Sequence, residues 1–141
     1  MIILDTNVLS ELMLAESEPR VLEWLRGQSM LDLGTTTINI AEIKYGLSRL
    51  APGRRRSELE RKFTTLVIRG LASRVFDFDQ PAANIYGDIR VARERAGRPL
   101  EGADGLIAAI AHSRGFAIAT RNTSDFEGCG IDIINPWSAQ A

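Results

Sequence analysis

Short apolar runs alternate with helix-period stripes from one end of this chain to the other, and that alternation leaves few folds open. "IILD" reads as a strand, and "TNVLSELML" follows with Val8, Leu9 and Leu12 at helical spacing. Pro19 opens a second helix with Val21, Leu22 and Leu25 turned inward. A short strand near "LDLGTT" precedes a helix in "TTTINIAEIKYGLSRL", where Ile40, Ile43, Leu47 and Leu50 form the stripe and "APG" stops it. Residues 54–70 read as a further helix on Leu59, Phe63 and Leu66, and "RVFDFD" as a strand by alternation. Asp79 caps the next helix with Pro81 in its first turn, and "AGRP" ends it at Gly97 and Pro99. "EGADGLIAAIAHSRG" then gives a helix burying Leu106, Ile107 and Ile110, stopped by Gly115. "FAIAT" and "GIDIINP" are the last strands. Strands alternating with helices predict an α/β fold with a mainly parallel sheet, in one domain over residues 1–141.

In such sheets the functional groups gather outside the carboxyl ends of the strands. Asp5 ends the first strand and Thr120 ends "FAIAT", which puts both on one edge. Each acid nearby has an ordinary structural use. Asp5 can cap the helix that begins near Asn7. Glu42 stands three residues after Asn39, the spacing of a capping box. Asp104 lies in the first turn of a helix, where a carboxylate gains about 0.3–1 kcal/mol. Asn122 and Asp125 fall in the polar loop "TRNTSDF". Together they ask for more. If the strand order brings them into one crevice, each like-charged pair at about 5 Å costs roughly 3 kcal/mol at an effective dielectric near 20. Such a cluster raises its own pKa values or binds a cation. With oxygen ligands alone, that cation is hard, Mg²⁺ or Mn²⁺, and these ions serve phosphoryl chemistry.

Composition narrows the remainder. One Cys (Cys129) and one His (His112) make neither an internal disulfide nor a zinc cluster, which fits a reducing cytoplasm. No apolar run reaches the roughly 18–20 residues of a membrane span, and Met1 leads into "IILD" without a basic signal-peptide region. The net charge of −1 conceals that 15 of 17 cations are Arg, whose planar fork suits phosphate oxygens. Two clusters stand out: Arg54, Arg55 and Arg56, and Arg90, Arg93, Arg95 and Arg98. They are a solvated face paired with acids such as Glu58, Glu60 and Glu94, or a surface suited to phosphate oxygens. "VFDFDQP" superficially matches the D-x-D pair of haloacid-dehalogenase-like phosphatases, but no lysine follows it.

Four ordered blocks, "LDTNVLSEL", "INIAEIKYGL", "GADGLIAAIA" and "IATRNTSDF", resemble PIN-domain ribonucleases. The likeness is to the VapC-type toxins of bacterial toxin–antitoxin pairs, in their FitB-like branch, and it spans almost the whole chain. It implies a three-layer PIN-like fold with Asp5, Glu42 and Asp104 as the central acids, holding Mg²⁺ or Mn²⁺ for hydrolysis of RNA phosphodiesters. Thr6 and Thr120 resemble the family's supporting hydroxyls. The fourth acidic place falls to Asn122 or to Asp125, and only Asp125 brings charge. The resemblance also implies a homodimer and a cognate antitoxin whose tail covers the groove, with DNA met only through that antitoxin. The alternative is a PIN-like binding module without nuclease activity, which the neutral Asn122 keeps open.

Overall fold

The computed structural model describes residues 1–138, so residues 139–141 of the single-domain expectation lie outside the described residues. The chain runs β1 (Ile2–Leu4), α1 (Thr6–Leu12), α2 (Pro19–Arg26), β2 (Leu33–Thr36), α3 (Thr37–Arg49), α4 (Arg54–Phe63), β3 (Val75–Phe76), α5 (Gln80–Arg95), α6 (Asp104–Arg114), β4 (Ala117–Ala119) and β5 (Ile133–Ile134). The five strands form one sheet in the order β3-β2-β1-β4-β5, and every pairing is parallel.

Two cores, one on each face, explain the three layers. Ile3 and Ile118 pair across β1 and β4 and pack with Ile89, Ile107 and Ile110 of α5 and α6. Leu4 and Ala119, one residue on, pack with Val8, Leu9, Ile43, Leu47 and Phe63 of α1, α3 and α4. Successive strand residues face opposite ways, so a strand buried on both faces must be apolar throughout. That is why "IIL" and "AIA" carry no polar residue.

The chain leaves β1 towards β2 and β3, then returns to the far side of β1 as β4 and continues to β5. The order therefore reverses between β1 and β4, and a crevice opens beyond their carboxyl ends. Asp5 and Thr120 are the next residues after those two strands.

Three local features differ from the sequence reading. The helix of residues 37–49 is capped by Thr36, whose hydroxyl accepts the Asn39 amide, so Asn39 lies inside the helix and is not its cap. The helix from Arg54 stays regular only to Phe63, then widens into a π-helix over Thr64–Leu71 that seats Val67 and Leu71 in the core. "RVFDFD" contributes only two strand residues, because Asp79 already caps α5 by accepting the Ala82 amide at 3.2 Å. As expected, Gly115 ends α6 in a left-handed conformation, φ 69°. Among the described residues no helix is long and apolar enough to cross a membrane.

Candidate functional site

Asp5 is buried to 6% exposure and its carboxylate accepts four hydrogen bonds. Oδ1 takes the Thr6 amide at 2.8 Å and the Asn39 side-chain amide at 3.0 Å. Oδ2 takes the Thr120 hydroxyl at 2.8 Å and the Asn7 side-chain amide at 3.3 Å. The Thr6 contact makes Asp5 the N-cap of α1, so the capping role is real. The other three bonds come from α1, α3 and the end of β4, and capping does not require them.

The partners are themselves held. Asn39, fully buried, receives the Thr36 hydroxyl on Oδ1 at 2.6 Å and also donates to the Thr6 hydroxyl at 3.0 Å. The Thr6 hydroxyl donates in turn to Glu42 at 2.8 Å, which ties the third acid to the first. Asn7 bonds the Thr120 hydroxyl at 3.1 Å and accepts the Arg121 amide at 3.0 Å. Thr120 is fully buried and also accepts the Asn122 amide. Even with these bonds, burial holds the Asp5 carboxyl above the usual carboxylate range, and the charge of Asp125 adds to the effect.

Asp104 is built differently. It begins α6, half-buried, and among the described residues its carboxylate has no hydrogen bond and no ion pair. Burial pushes its pKa up to about 6, reinforced by the charges of Asp125, Asp5 and Glu42 and partly offset by Arg93. Those couplings bring the four acids into one electrostatic neighbourhood. Asp104 and Asp125 line one polar cavity of about 290 Å³ together with Arg93, Arg98, Glu101 and Ser124. Asn122 is exposed and is not among the residues lining that cavity.

Among the described residues no group of three or more His, Cys, Asp or Glu side chains is placed so as to hold a metal ion. The chemistry of the donors nevertheless fits a hard divalent cation. They are oxygens only, they repel one another, and one of them is partly buried with nothing paired to it.

The arginines divide. Arg54 bonds Glu58 at 3.1 Å and Arg56 bonds Glu60 at 2.6 Å, both one helical turn apart in α4. Arg90 stands 3.9 Å from Glu94, and Arg98 bonds Glu127 at 2.8 Å. Arg55 lines a groove between α1, α3 and α4 whose other end is formed by Thr6 and Glu42. Arg93 does not belong to the surface rim that the sequence led us to expect. It is 6% exposed, and its guanidinium donates to the carbonyls of Arg98, Ser124, Asp125 and Glu127. Asp79 of the "DFD" stretch is occupied by its cap and by Arg114 at 3.1 Å, far in role from the acid cluster.

Three residues of the site were missed or misassigned in the sequence: Asn39, Asn7 and Arg93. A buried Asn inside a helix facing the first acid was legible only if Thr36, and not Asn39, was taken as the cap. Asn7 lies two residues after Asp5, where a side-chain amide can reach back to a carboxylate. Nothing in the sequence separates Arg93 from its neighbours.

The PIN domain family model matches residues 2–128. The chain belongs to the PIN-domain family. Among its relatives is a VapC ribonuclease, Y4jK of Sinorhizobium fredii, 43% identical over 97% of this chain and 98% of that protein. Toxin FitB of Neisseria gonorrhoeae is 34% identical over 97% of this chain and 99% of its own length. The structure of FitAB bound to an IR36 DNA fragment matches with a TM-score of 0.92 at 33% identity, over all of this chain and 99% of that one. The PIN fold thus accounts for the parallel sheet and for the crevice at the ends of β1 and β4.

Proposed function

We propose that this PIN-domain protein is a metal-dependent endoribonuclease and the toxin of a type II toxin–antitoxin pair. The observation that carries the reading is Asp104: a half-buried carboxylate with no hydrogen bond or ion pair among the described residues, lining one cavity with Asp125, its pKa raised by burial and by the charges of Asp125, Asp5 and Glu42. Relatives named as a VapC ribonuclease and a FitB toxin support it.

Asp5, Asp104 and Glu42 would hold Mg²⁺ or Mn²⁺, with Asp125 as the fourth acid. When bound, the ion would supply a more acidic water and charge to offset the phosphate oxygens. The chain's own residues do the rest. Thr120, Asn39, Asn7 and the Thr6 amide fix both oxygens of Asp5, so no reorganisation is needed when charge develops beside it. Whichever of Glu42 or Asp104 does not ligate the ion would take the proton of the attacking water; among the described residues Glu42 accepts only the Thr6 hydroxyl. The products carry 5′-phosphate and 3′-hydroxyl ends.

The alternative, a PIN-like module that binds without cutting, drew on the neutral Asn122. Asp125 lines the cavity with Asp104 and supplies the charge that Asn122 lacks, which favours cleavage. Arg54, Arg55, Arg56, Arg90 and Arg98 remain exposed or half-exposed cations for the RNA backbone, with Arg55 nearest in position to the groove that begins at Thr6 and Glu42. The same groove is the place for an antitoxin tail, since it joins apolar walls (Met13, Ile43, Leu59) to the acids. DNA is reached through that antitoxin, and the toxin is a homodimer, which light scattering on the purified chain checks.

The deciding experiment is cleavage of RNA by the purified chain with Mg²⁺ or Mn²⁺ and with EDTA, beside folded Asp5→Asn and Asp104→Asn. Metal-dependent cutting lost in both variants is expected. Cutting that persists unchanged in both would sink the reading.

A further inference from the structure

Arg93 is the one ionisable cation buried in the core of the described chain, and among the described residues it makes no salt bridge, although its charge reaches Asp104 and its side chain meets the Cys129 thiol. A buried charge of that kind is retained only where fixed dipoles solvate it. Here the dipoles are four main-chain carbonyls. Nε donates to Arg98 O; one terminal nitrogen reaches Ser124 O at 3.3 Å, Asp125 O at 3.1 Å and Glu127 O at 2.6 Å. The guanidinium therefore reads the shape of the loop after β4 and ties it to the last turn of α5. Gly128, at φ 76°, lets that loop turn back over the Arg93 stem. Arg98 adds an outer brace, bonding Ser124 O at 3.1 Å and the Glu127 carboxylate at 2.8 Å.

The loop so held carries Asp125, and α6, packed beside α5, carries Asp104. Both acids line the same cavity as Arg93. Asp125 has no side-chain bond of its own among the described residues, so its place is set by its backbone alone. We propose that Arg93 is a positioning residue that holds Asp125 opposite Asp104 and thereby completes the acid set that binds the divalent ion. This deepens the nuclease reading and rests on it for the purpose of the ion, but it concerns an arrangement of this chain's own residues. A lysine cannot replace the Arg, because a compact ammonium lacks the planar fork that spans carbonyls on two sides.

The test is Mn²⁺ affinity, followed by electron paramagnetic resonance on the purified full chain. Arg93→Lys, Asp125→Asn and the double variant are compared, each checked for folding by circular dichroism. Each single change is expected to weaken Mn²⁺ binding about 10-fold, the low end for residues that orient a metal ligand. The double variant should bind no more weakly than Asp125→Asn alone, since Arg93 acts through Asp125. Additive losses, or unchanged affinity in folded Arg93→Lys, overturn the proposal, as does a wild-type chain that binds no Mn²⁺. If Arg93→Lys does not fold, the exposed Arg98→Ala takes its place in the same cycle. A few-fold loss that vanishes in the Asp125→Asn background supports the proposal, and an unchanged affinity overturns it. RNA cleavage by the wild type, measured separately, distinguishes the two readings: the predicted Mn²⁺ pattern without cleavage defeats the nuclease and leaves the positioning role standing.

Discussion

Asp5 and Asp104 share one electrostatic neighbourhood, yet the fold treats them in opposite ways. Asp5 comes off the central strand and is met by four donors from three elements. Asp104 comes off a helix start and is met by none among the described residues, while burial, reinforced by three other acids, pushes its pKa to about 6. The first is orientation built in advance; the second is charge left uncompensated. A site meant only to stabilise the fold would neutralise both. The difference separates an acid whose bonds hold the fold together from one whose charge the fold leaves uncompensated.

The largest effect that could break this contrast is on activity. If the proposed nuclease reading holds, Asp5→Asn and Asp104→Asn should each lower RNA cleavage by about 100-fold or more, because each removes a charged oxygen from the proposed metal site. A gel assay on a common RNA substrate checks both, and equal activity of either variant with wild type ends the argument for that residue.

Stability should then separate the two acids. Asn39→Ala strips one donor from Asp5 and leaves the Thr36 hydroxyl without its acceptor, all of it buried. A loss of about 2–3 kcal/mol is expected on urea denaturation, with a fall in cleavage of about 10-fold as Asp5 loses its fixed orientation. Thr120→Val, which keeps the shape and removes the bond to Oδ2, should cost about 1–2 kcal/mol.

Asp104 should behave in the reverse sense. Its folded pKa of about 6 lies above the ordinary value of 3.8, so the folded chain holds the proton more tightly than the unfolded one. The metal-free protein therefore loses stability as pH rises between about 4 and 6, and the whole loss is present above that. Asp104→Asn should raise Tm at pH 7.5 and leave it nearly unchanged at pH 4, in scanning calorimetry with EDTA. Added Mn²⁺ should raise the wild-type Tm at pH 7.5 and fail to raise that of the variant to the same extent. A variant less stable than wild type at pH 7.5 without metal would show that Asp104 is paired after all.

The smallest effect belongs to the surface. Arg54→Ala breaks an i,i+4 pair whose arginine is 92% exposed, and should change stability by no more than about 0.5 kcal/mol. A weaker salt dependence of RNA binding in the same variant would assign this arginine to the RNA track in addition to its pair with Glu58.

Much of this was legible in the residues. The apolar patterns placed the α-helices and strands of the described chain in order, though not the 3-10 and π-helical turns, since apolar spacing reports which face a segment buries. Asp5 and Thr120 were placed on one edge because both follow continuous apolar strands, and the 2.8 Å bond between them fulfils that expectation. Three particulars were not legible. Thr35, Thr36 and Thr37 stand in a row before Asn39, and four good caps in five residues hide where the helix starts. Asn122 and Asp125 share one loop, and only the 3-10 turn at Thr123–Asp125 decides which of them lines the cavity. Arg93 looks like Arg90, Arg95 and Arg98 until α5 packs and the loop after β4 folds over it.

By itself, then, the sequence determined the alternation of elements, the two-sided burial of β1 and β4, and which residue types could meet a hard cation. These are local matters: hydrophobic period, capping chemistry and side-chain charge are properties of short segments. Tertiary structure alone decided which acids share a potential, which of them stay unpaired, and which arginine is buried as a brace. Those depend on contacts between residues as far apart as Asp5 and Thr120, or Arg93 and Glu127, and no short segment contains both partners.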